Sequence, residues 1–373
     1  MIIPEKEFSN NDVHFMALAL QEARKGLGRT SPNPCVGAVV VIDNDVVSSG
    51  YHKKAGTLHA EVHALRKAGS RAEGATIYVT LEPCNHTGRT PPCSRAIVDA
   101  GIKRVVVGMV DPNPIVSGSG NSYLRECGIE VVSGVLEKEC LELNRPFIKH
   151  ITTGKPFVVM KAGMSLDGRL SYQDGVAGQM TGNDSRTRVH NLRDSFDAIL
   201  IGSGTLAADD PSLTTRLGAN SRDPLRVVLD TSLSIPLDSR ILHLESNAET
   251  LLFCSSDCNG EKVAHLNSIE GVTVRSVSSV PEQGLDLGEV LEYLGSVDVC
   301  SLLVEGGAAV HGSFMRQALV DRVMLFVAPL FAGSDGTPLL KDFRVTDRST
   351  APKLSNVSYE QCGVDLIIEG DLF

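Results

Sequence analysis

The stretches His59-Ala60-Glu61, Pro83-Cys84 and Pro92-Cys93 decide how this chain is interpreted. One imidazole and two thiolates can hold a catalytic Zn²⁺, which keeps its fourth position open. Glu61 follows His59 by two residues and is not needed as a ligand, so its carboxyl group is available for proton transfer. The alternatives are a closed structural zinc site and a set of unrelated buried residues. The coincidence of all three stretches favours the catalytic zinc site.

The same combination indicates a class of chemistry. A His-x-Glu motif followed by Pro-Cys and a second cysteine is typical of zinc-dependent nucleobase deaminases, in which the metal activates a water and the glutamate transfers protons. His63 is a competing ligand, but Glu61 does not occupy the position that the zincin motif requires. We therefore predict that His59, Cys84 and Cys93 bind Zn²⁺ and that Glu61 is catalytic, with His63 packing beside them.

Length and composition favour a two-domain enzyme. The chain has 373 residues, which is longer than a single hydrophobic core usually supports. It is 42% hydrophobic and 21% charged, as is typical of a globular protein. Its formal net charge of −10 is unfavourable for nucleic-acid binding, which needs clustered basic residues. We see no apolar run that predicts a membrane span and no signal peptide near the first residue. Nine cysteines, an odd number, predict reduced thiols and a cytoplasmic protein.

Strand and helix patterns alternate along the chain, which is typical of an α/β fold. In the first half we predict strands at 36–42, 46–47, 76–81, 104–109 and 129–132. His59 begins a predicted helix, and we expect Cys84 and Cys93 to begin others, because helix N-termini favour thiolates. Gly154-Lys155-Pro156 interrupts the pattern. We therefore predict one domain at residues 1–150 and a second at 151–373.

Polar loops follow two predicted strands of the second half. Glu305-Gly306-Gly307 lies between a strand and a helix, where backbone amides can approach a phosphate, although the full G-x-G-x-x-G pattern is missing. Asp209-Asp210-Pro211 belongs to a second polar loop, which begins at Gly202. Ligands of open α/β sheets bind at such strand ends. Lys161 ends an apolar strand, where its burial is costly unless the charge is used.

The first half resembles the deaminase half of the bifunctional riboflavin-biosynthesis deaminase/reductases. The matching stretches are Ser31-Pro-Asn-Pro-Cys-Val-Gly37, Gly50-Tyr-His-Lys-Lys-Ala-Gly56, His59-Ala-Glu-Val-His-Ala64 and Tyr78-Val-Thr-Leu-Glu-Pro-Cys-Asn-His-Thr-Gly-Arg-Thr-Pro-Pro-Cys93. The resemblance covers nearly all of residues 10–150. It implies a zinc-binding, three-layer domain similar to cytidine deaminase. Other zinc deaminases usually have two residues between their cysteines, whereas eight intervene between Cys84 and Cys93.

The longer spacing places His86 and Arg89 beside the metal, where they can recognise a nucleotide phosphate through charge-assisted hydrogen bonds. The alternative for Arg89 is a solvated loop charge. The resemblance implies further substrate contacts at Asn33, His52, Asp111 and Asn113. Of these, Asn33 and His52 would contact the pyrimidine and its sugar. The other two would lie near the ribose phosphate, or they could be turn residues, since Asn and Asp favour turns.

The second half resembles the reductase half of the same family, whose fold is similar to dihydrofolate reductase. The matching stretches are Lys161-Ala-Gly-Met-Ser-Leu-Asp-Gly168, Asp197-Ala-Ile-Leu-Ile-Gly-Ser-Gly-Thr-Leu-Ala-Ala-Asp-Asp-Pro-Ser-Leu-Thr214 and Val304-Glu-Gly-Gly-Ala-Ala-Val-His-Gly-Ser-Phe314. The resemblance implies NADPH-dependent reduction of a ribosyl group to a ribityl chain, with Lys161 as the catalytic residue. It also implies a small pyrimidine nucleotide as substrate, no nucleic-acid or membrane partner, and a homo-oligomer.

The resemblance assigns two further sets of residues in this half. The substrate-binding residues would be Arg193, Leu213, Arg216 and Glu305. We expect the two arginines to hold the substrate phosphate. The cofactor-binding residues would be Gly163, Thr205, Asp209, Thr231, Gly306, Gly307, Ala308, Ala309, Val310, His311, Gly312 and Ser313.

One stretch departs from the family. Where relatives show a Ser-x-Trp-Ile-Thr-like sequence, this chain has Ala177-Gly178-Gln179-Met180-Thr181, without the serine and the aromatic ring. A deaminase with a degenerate reductase half is therefore one alternative. A tRNA-editing zinc deaminase and a non-catalytic zinc-stabilised binding protein are two others. The tRNA-editing enzyme would need a basic surface and no reductase-like half, and the binding protein would need neither Glu61 nor the phosphate-type loop.

Overall fold

The computed structural model describes residues 8–85, 91–113, 117–176, 178–280 and 284–372. The chain divides into two compact units, Met1–Gly154 and Lys155–Phe373. Residue 150, where the sequence places the boundary, lies inside a helix of the first unit, Arg145–Thr153. This helix ends at Gly154, whose left-handed conformation is the usual helix stop.

The first unit is built on a five-stranded sheet with the order β2-β1-β3-β4-β5. Its strands are Gly37–Ile42 (β1), Asp45–Tyr51 (β2), Thr76–Leu81 (β3), Arg104–Met109 (β4) and Glu130–Ser133 (β5). β1 is antiparallel to β2 and β3, whereas β3, β4 and β5 are parallel. The central strands are continuous apolar runs, as expected for strands buried on both faces.

Helices cover both faces of this sheet. They are Asn10–Arg24 (α1), Ala60–Ala68 (α2), Cys93–Asp99 (α3), Ser119–Glu126 (α4), Glu137–Leu143 (α5) and Arg145–Thr153 (α6). α1 and α5 contact each other and the sheet, while α2, α3 and α4 contact one another. Gly37 allows α1 to lie directly on β1, because a Cβ at this position would overlap the carbonyl oxygen of Ala19. The predicted three-layer α/β architecture is confirmed.

The second unit contains a nine-stranded mixed sheet with the order β10-β9-β8-β7-β13-β6-β14-β16-β15. Its strands are Phe157–Ser165 (β6), Ala198–Gly202 (β7), Leu225–Leu229 (β8), Thr250–Ser255 (β9), Val272–Val277 (β10), Ser301–Val304 (β13), Arg322–Ala328 (β14), Ser355–Cys362 (β15) and Asp365–Asp371 (β16). A separate two-stranded ribbon pairs Ser279–Val280 (β11) with Gly284–Leu285 (β12). Among the described strands of the large sheet, β16 alone runs in the opposite direction to the others, so it is antiparallel to both β14 and β15.

Five helices connect the described strands of this unit. They are Asn183–Ser195 (α7), Ser203–Asp209 (α8), Gly260–Asn267 (α9), Leu287–Ser296 (α10) and Ala308–Arg316 (α11). α8 corrects the sequence interpretation, which placed a polar loop after β7. A helix of seven residues that starts with Ser-Gly-Thr has too little apolar periodicity to be recognised. Within the described part of the chain, no helix combines the length and apolar character needed to cross a membrane.

We expect a fragment ending at Gly154 to fold without the second unit, because its buried core cluster is formed entirely by residues of the first unit. A matched fragment ending at Gly128 lacks β5 and α5, and with them the buried Cys140 and Leu143. The longer fragment should show a cooperative thermal transition by circular dichroism, and the shorter one should not. A non-cooperative transition of the longer fragment would mean that the first unit needs the second.

Candidate active sites

His59, Cys84 and Cys93 form a cluster of metal-ligating side chains in the first unit. Their ligand atoms all lie within 4.8 Å of one another. His59 Nδ1 is 3.1 Å from Cys93 Sγ and 3.6 Å from Cys84 Sγ. His59 is the residue before α2, and Cys93 is the first residue of α3. One imidazole and two soft sulfur atoms at these distances fit Zn²⁺ and leave a coordination position for a further ligand.

Cys84 does not begin a helix, which corrects the sequence interpretation. It lies in the loop that follows β3. The backbone N–H of Cys93, the first amide of α3, donates to the Sγ of Cys84 at 3.4 Å. The Cys84 thiolate is therefore stabilised by the start of α3 and not by a helix that begins at Cys84. Hydrogen bonding from Cys93 and His59 lowers the pKa of Cys84 to about 4. The same pairing, together with burial, raises the pKa of Cys93. Cys84 is therefore the more readily ionised ligand.

Glu61 lies in the first turn of α2, beside the metal ligands. Only 3% of its surface is exposed, and burial raises the pKa of its carboxyl group to about 7. Desolvation disfavours the charged form, and the attraction of His59 does not offset it. A carboxyl group that binds and releases a proton near neutral pH is suited to general acid and base catalysis.

Asn33 and His52 lie against this cluster. The His52 ring stands edge-on to the His59 ring, with 5.4 Å between their centroids. Burial lowers the pKa of His52, so its imidazole is neutral. Its Nδ1 lies 3.2 Å from the Leu58 carbonyl oxygen and donates to it, so its Nε2 accepts from Asn33 Nδ2 at 3.0 Å. The Asn33 amide is thereby oriented beside the metal ligands.

The described part of the chain does not place all the other residues predicted to act in this unit beside the metal-ligating cluster. His86 and Arg89 lie outside the described residues. His63 is not part of the metal-ligating group found among the described residues. The backbone N–H of Asn113 donates to Asp111 Oδ1 at 2.8 Å, which is the local bond of an Asx turn.

A cavity of about 620 Å³ lies at the carboxyl ends of β6, β7 and β13 in the second unit. Most predicted residues of this half line it, namely Lys161, Gly163, Arg193, Thr205, Asp209, Leu213, Thr231, Glu305, Gly307, Ala308, Ala309, Val310, His311 and Ser313. Arg216, Gly306 and Gly312 do not. Arg216 is exposed, while Gly306 packs on Ile201 and Gly312 packs on the Lys341 backbone, where a Cβ would clash.

Glu305 is the centre of a buried ion cluster in this cavity. Its side chain is 8% exposed, and it accepts from Arg193 Nε at 3.1 Å and Arg193 Nη2 at 2.8 Å. Lys161 Nζ lies 3.9 Å from the same carboxylate. Burial would raise the pKa of Glu305, but Arg193 and Lys161 hold it at about 2. Burial lowers the pKa of Lys161, so its ammonium group gives up a proton more readily than an exposed lysine does.

Arg193 is engaged within the protein. Besides its two bonds to Glu305, its Nη1 donates to the Thr214 carbonyl oxygen at 3.2 Å. These bonds use three of the five N–H donors of the guanidinium group, so the phosphate-holding role that the resemblance implies for Arg193 stays a prediction. Arg216 has an exposed side chain and does not line the cavity, and its role as a phosphate contact also stays a prediction.

The segment after Glu305 has the form of a phosphate cradle. The Gly307 N–H donates to Thr205 Oγ1 at 2.9 Å, and α11 begins at the next residue. The N-terminus of a helix offers unpaired amides and a positive dipole end to an anion. The cavity and this cradle together fit the phosphates and nicotinamide of NADPH.

The sequence interpretation missed several residues that line the cavity. They are Ser171, Asp174, Thr337 and Lys341. Gln179, in the stretch that departs from the family, also lines the cavity. Its Oε1 accepts from Arg186 Nη1 at 2.9 Å, and its Nε2 donates to the Thr181 carbonyl oxygen at 3.0 Å. Ser171 and Thr337 are hydrogen bonded across 166 positions of the sequence. No local motif signals a contact of that separation.

Fold and sites together define a zinc-dependent nucleobase deaminase joined to a reductase. Residues 9–109 match the family model of the cytidine and deoxycytidylate deaminase zinc-binding region, and residues 156–368 match that of the RibD C-terminal domain. The chain is 41% identical to the riboflavin biosynthesis protein RibD of Aquifex aeolicus over 96% of its length and 97% of the relative. It is 38% identical to Escherichia coli RibD, covering 96% and 98% of the two chains.

Two solved structures agree with these matches. Acinetobacter baumannii RibD superposes with a TM-score of 0.86 and 34% identity over 97% of this chain and 99% of the other. A diaminohydroxyphosphoribosylaminopyrimidine deaminase/5-amino-6-(5-phosphoribosylamino)uracil reductase of Thermotoga maritima gives 0.84 and 35%, with the same coverage. The chain belongs to the RibD family of bifunctional riboflavin-biosynthesis enzymes. A tRNA-editing deaminase and a zinc-stabilised binding protein are therefore not favoured.

Replacing Cys84 by serine should remove most of the bound zinc, because a neutral hydroxyl is a far poorer ligand than a thiolate. Metal analysis of the purified variant measures this directly. Cys127→Ser is the matched control, since Cys127 is exposed and lies outside the cluster. Full zinc occupancy in Cys84→Ser would show that Cys84 is not a ligand.

Proposed function

We propose that this chain performs both reactions for which the Thermotoga maritima protein is named. The first unit would remove an amino group from a diaminohydroxyphosphoribosylaminopyrimidine, and the second would reduce the ribosyl group of 5-amino-6-(5-phosphoribosylamino)uracil. The observation that carries the proposal is the pairing of a nearly unexposed Glu61 with the His59, Cys84 and Cys93 cluster. The Lys161 and Glu305 cluster supports the reductase half.

Glu61 would carry the protons of the deamination. Hydrolytic deamination needs one group that takes a proton from the attacking water and returns it to the departing amine. When bound, Zn²⁺ would lower the pKa of that water. The pKa of Glu61, raised by burial to about 7, is close to the operating pH at which such a shuttle is efficient. Asn33 and His52, oriented by their mutual hydrogen bond, would hold the pyrimidine.

Lys161 and Glu305 would act at the reacting sugar carbon of the second reaction. NADPH, when bound by the Gly307 cradle, Thr205 and the start of α11, would supply the hydride. Reduction of an open-chain ribose or its imine creates a charge that a nearby cation offsets. The Lys161 ammonium, with its pKa lowered by burial, is the group placed to give up the required proton.

The cavity of the second unit supports an active reductase and not a degenerate one. Lys161, Thr205 and Asp209 all line it. The ion cluster of Lys161, Arg193 and Glu305 is also complete.

We further propose that the protein works in the cytoplasm as a homo-oligomer. All nine cysteines lie in the described part of the chain as free thiols, which suits a reducing compartment. β15 is an edge strand that is exposed along most of its length, and Tyr359 on it is 70% exposed. An edge of this kind is a template for pairing with a second copy. Native mass spectrometry would test the oligomeric state.

Glu61→Gln should retain zinc and fold but lose deamination. An amide cannot take up the proton of the attacking water, and the loss should be on the order of a hundredfold or more. Ammonia release from the aminopyrimidine nucleotide measures the effect, with zinc content determined on the same sample. Glu73→Gln is a suitable control, because Glu73 is exposed and lies beyond α2. Near-normal ammonia release by a zinc-loaded Glu61→Gln protein would refute the shuttle.

Arg193→Ala should lower the kcat of NADPH oxidation by about tenfold or more, because it leaves the buried Glu305 carboxylate without its main partner. Since Arg193 depresses the pKa of Glu305, its removal should raise that pKa. On acidification, the variant should therefore lose activity at a higher pH than the unaltered enzyme, because its Glu305 carboxylate takes up a proton at a higher pH.

The measurement is kcat and KM against pH with the deaminated nucleotide as substrate. Arg216→Ala is the comparison: a phosphate contact made equally in ground and transition states should raise KM and leave kcat unchanged. If Arg193→Ala showed only a raised KM and an unshifted pH profile, Arg193 would instead be the phosphate ligand.

A further inference from the structure

Glu82 is a buried carboxylate with a specific set of partners in the first unit. It directly follows β3, it is 4% exposed, and it precedes Cys84 by two residues. Its Oε2 accepts from the Asp111 N–H at 3.2 Å and from the Gly118 N–H at 2.9 Å. Its Oε1 accepts from the Asn121 N–H at 3.0 Å. Both carboxylate oxygens are therefore used by backbone amides of one segment.

These three bonds join two parts of the unit that are distant in sequence. Asp111 follows β4, whereas Gly118 and Asn121 belong to the start of α4. Glu82 thus holds this segment at both ends, at residues 111–113 and 117–121. Its own backbone N–H donates to the Met109 carbonyl oxygen at 2.9 Å, which fixes the carboxylate to the end of β4.

Two neighbouring contacts reinforce the same attachment. A Cβ on Gly120 would overlap the Pro83 carbonyl oxygen, so α4 lies directly on the loop that carries Cys84. Asn85 Nδ2 donates to the Ser119 carbonyl oxygen at 3.4 Å, and Asn85 Oδ1 accepts from Ser94 Oγ at 2.7 Å. The segment after β4 is consequently fixed relative to the metal-ligating cluster.

We propose that Glu82 is a positioning residue of the deaminase site, which holds the segment after β4 against the loop that carries Cys84. The proposal rests on the proposed deaminase function. It follows from two facts: the Glu82 carboxylate accepts from the backbone amides of Asp111, Gly118 and Asn121, and α4 lies directly on the loop that carries Cys84. A carboxylate is needed, because only this group accepts hydrogen bonds at both oxygens at once.

Glu82→Gln tests the proposal. The glutamine side chain has one oxygen and one NH₂ group, so the NH₂ group would face at least one backbone amide that needs a hydrogen-bond acceptor. Hydrogen exchange followed by mass spectrometry should show faster exchange in the peptide covering residues 111–121 and unchanged exchange elsewhere in the unit. The KM of ammonia release should rise about tenfold with kcat within about twofold, as expected for the loss of buried hydrogen bonds that act on binding. Zinc content should remain full.

Asp12→Asn is the matched control. Asp12 is another buried carboxylate of this unit, paired with Arg104 at the opposite end of β4. This variant should lower the melting temperature and leave KM unchanged. If Glu82→Gln does not fold, Glu82→Asp carries the same test, because it keeps the charge but is one methylene too short for all three amides.

Three results would overturn the role. Exchange that increases throughout the unit would show general destabilisation, and faster local exchange with an unchanged KM would leave Glu82 a structural residue. Loss of zinc would show that Glu82 acts through Cys84. If the unaltered protein released no ammonia, the proposed function would fail, while the exchange data would still report whether Glu82 holds the segment.

Discussion

The cost of burying a carboxylate governs both sites of this enzyme. A charge removed from water must be compensated by an opposite charge or by hydrogen bonds, or else it takes up a proton. The chain meets this constraint in three ways. Glu305 is compensated by two cations and stays ionised, with a pKa of about 2. Glu82 is compensated by three amides. Glu61 is the least compensated, and its pKa rises to about 7.

The degree of compensation matches the task of each group. An ionised and fully paired carboxylate is a fixed element, which can hold a lysine or a loop in place. A carboxyl group left short of partners can exchange protons, which is what catalysis of deamination requires. The same side chain can therefore suit proton transfer or anchoring, according to the groups that the fold places around it.

The grouping of His59, Cys84 and Cys93 beside Glu61 was predictable because metal chemistry imposes residue types at short spacings, as in His59-Ala60-Glu61. The α/β class was predictable from alternating patterns. Other features depend on contacts between distant parts of the chain. The thiolate of Cys84 is served by an amide of α3, and Ser171 meets Thr337 across 166 positions. The resemblance identified Arg193 as a functional position, but only the structure shows that its guanidinium group faces Glu305.

The immediate succession of Glu305 and the cradle at Gly306-Gly307 has a consequence for how this enzyme can change. The acidic centre and the cofactor loop share one short piece of backbone, with Gly306 packed so tightly on Ile201 that it cannot carry a side chain. A shift of this loop to suit a different dinucleotide would displace the carboxylate as well. Altered cofactor preference is therefore more accessible, in evolution or by engineering, at lining residues outside this loop, such as Thr231 and Gly284.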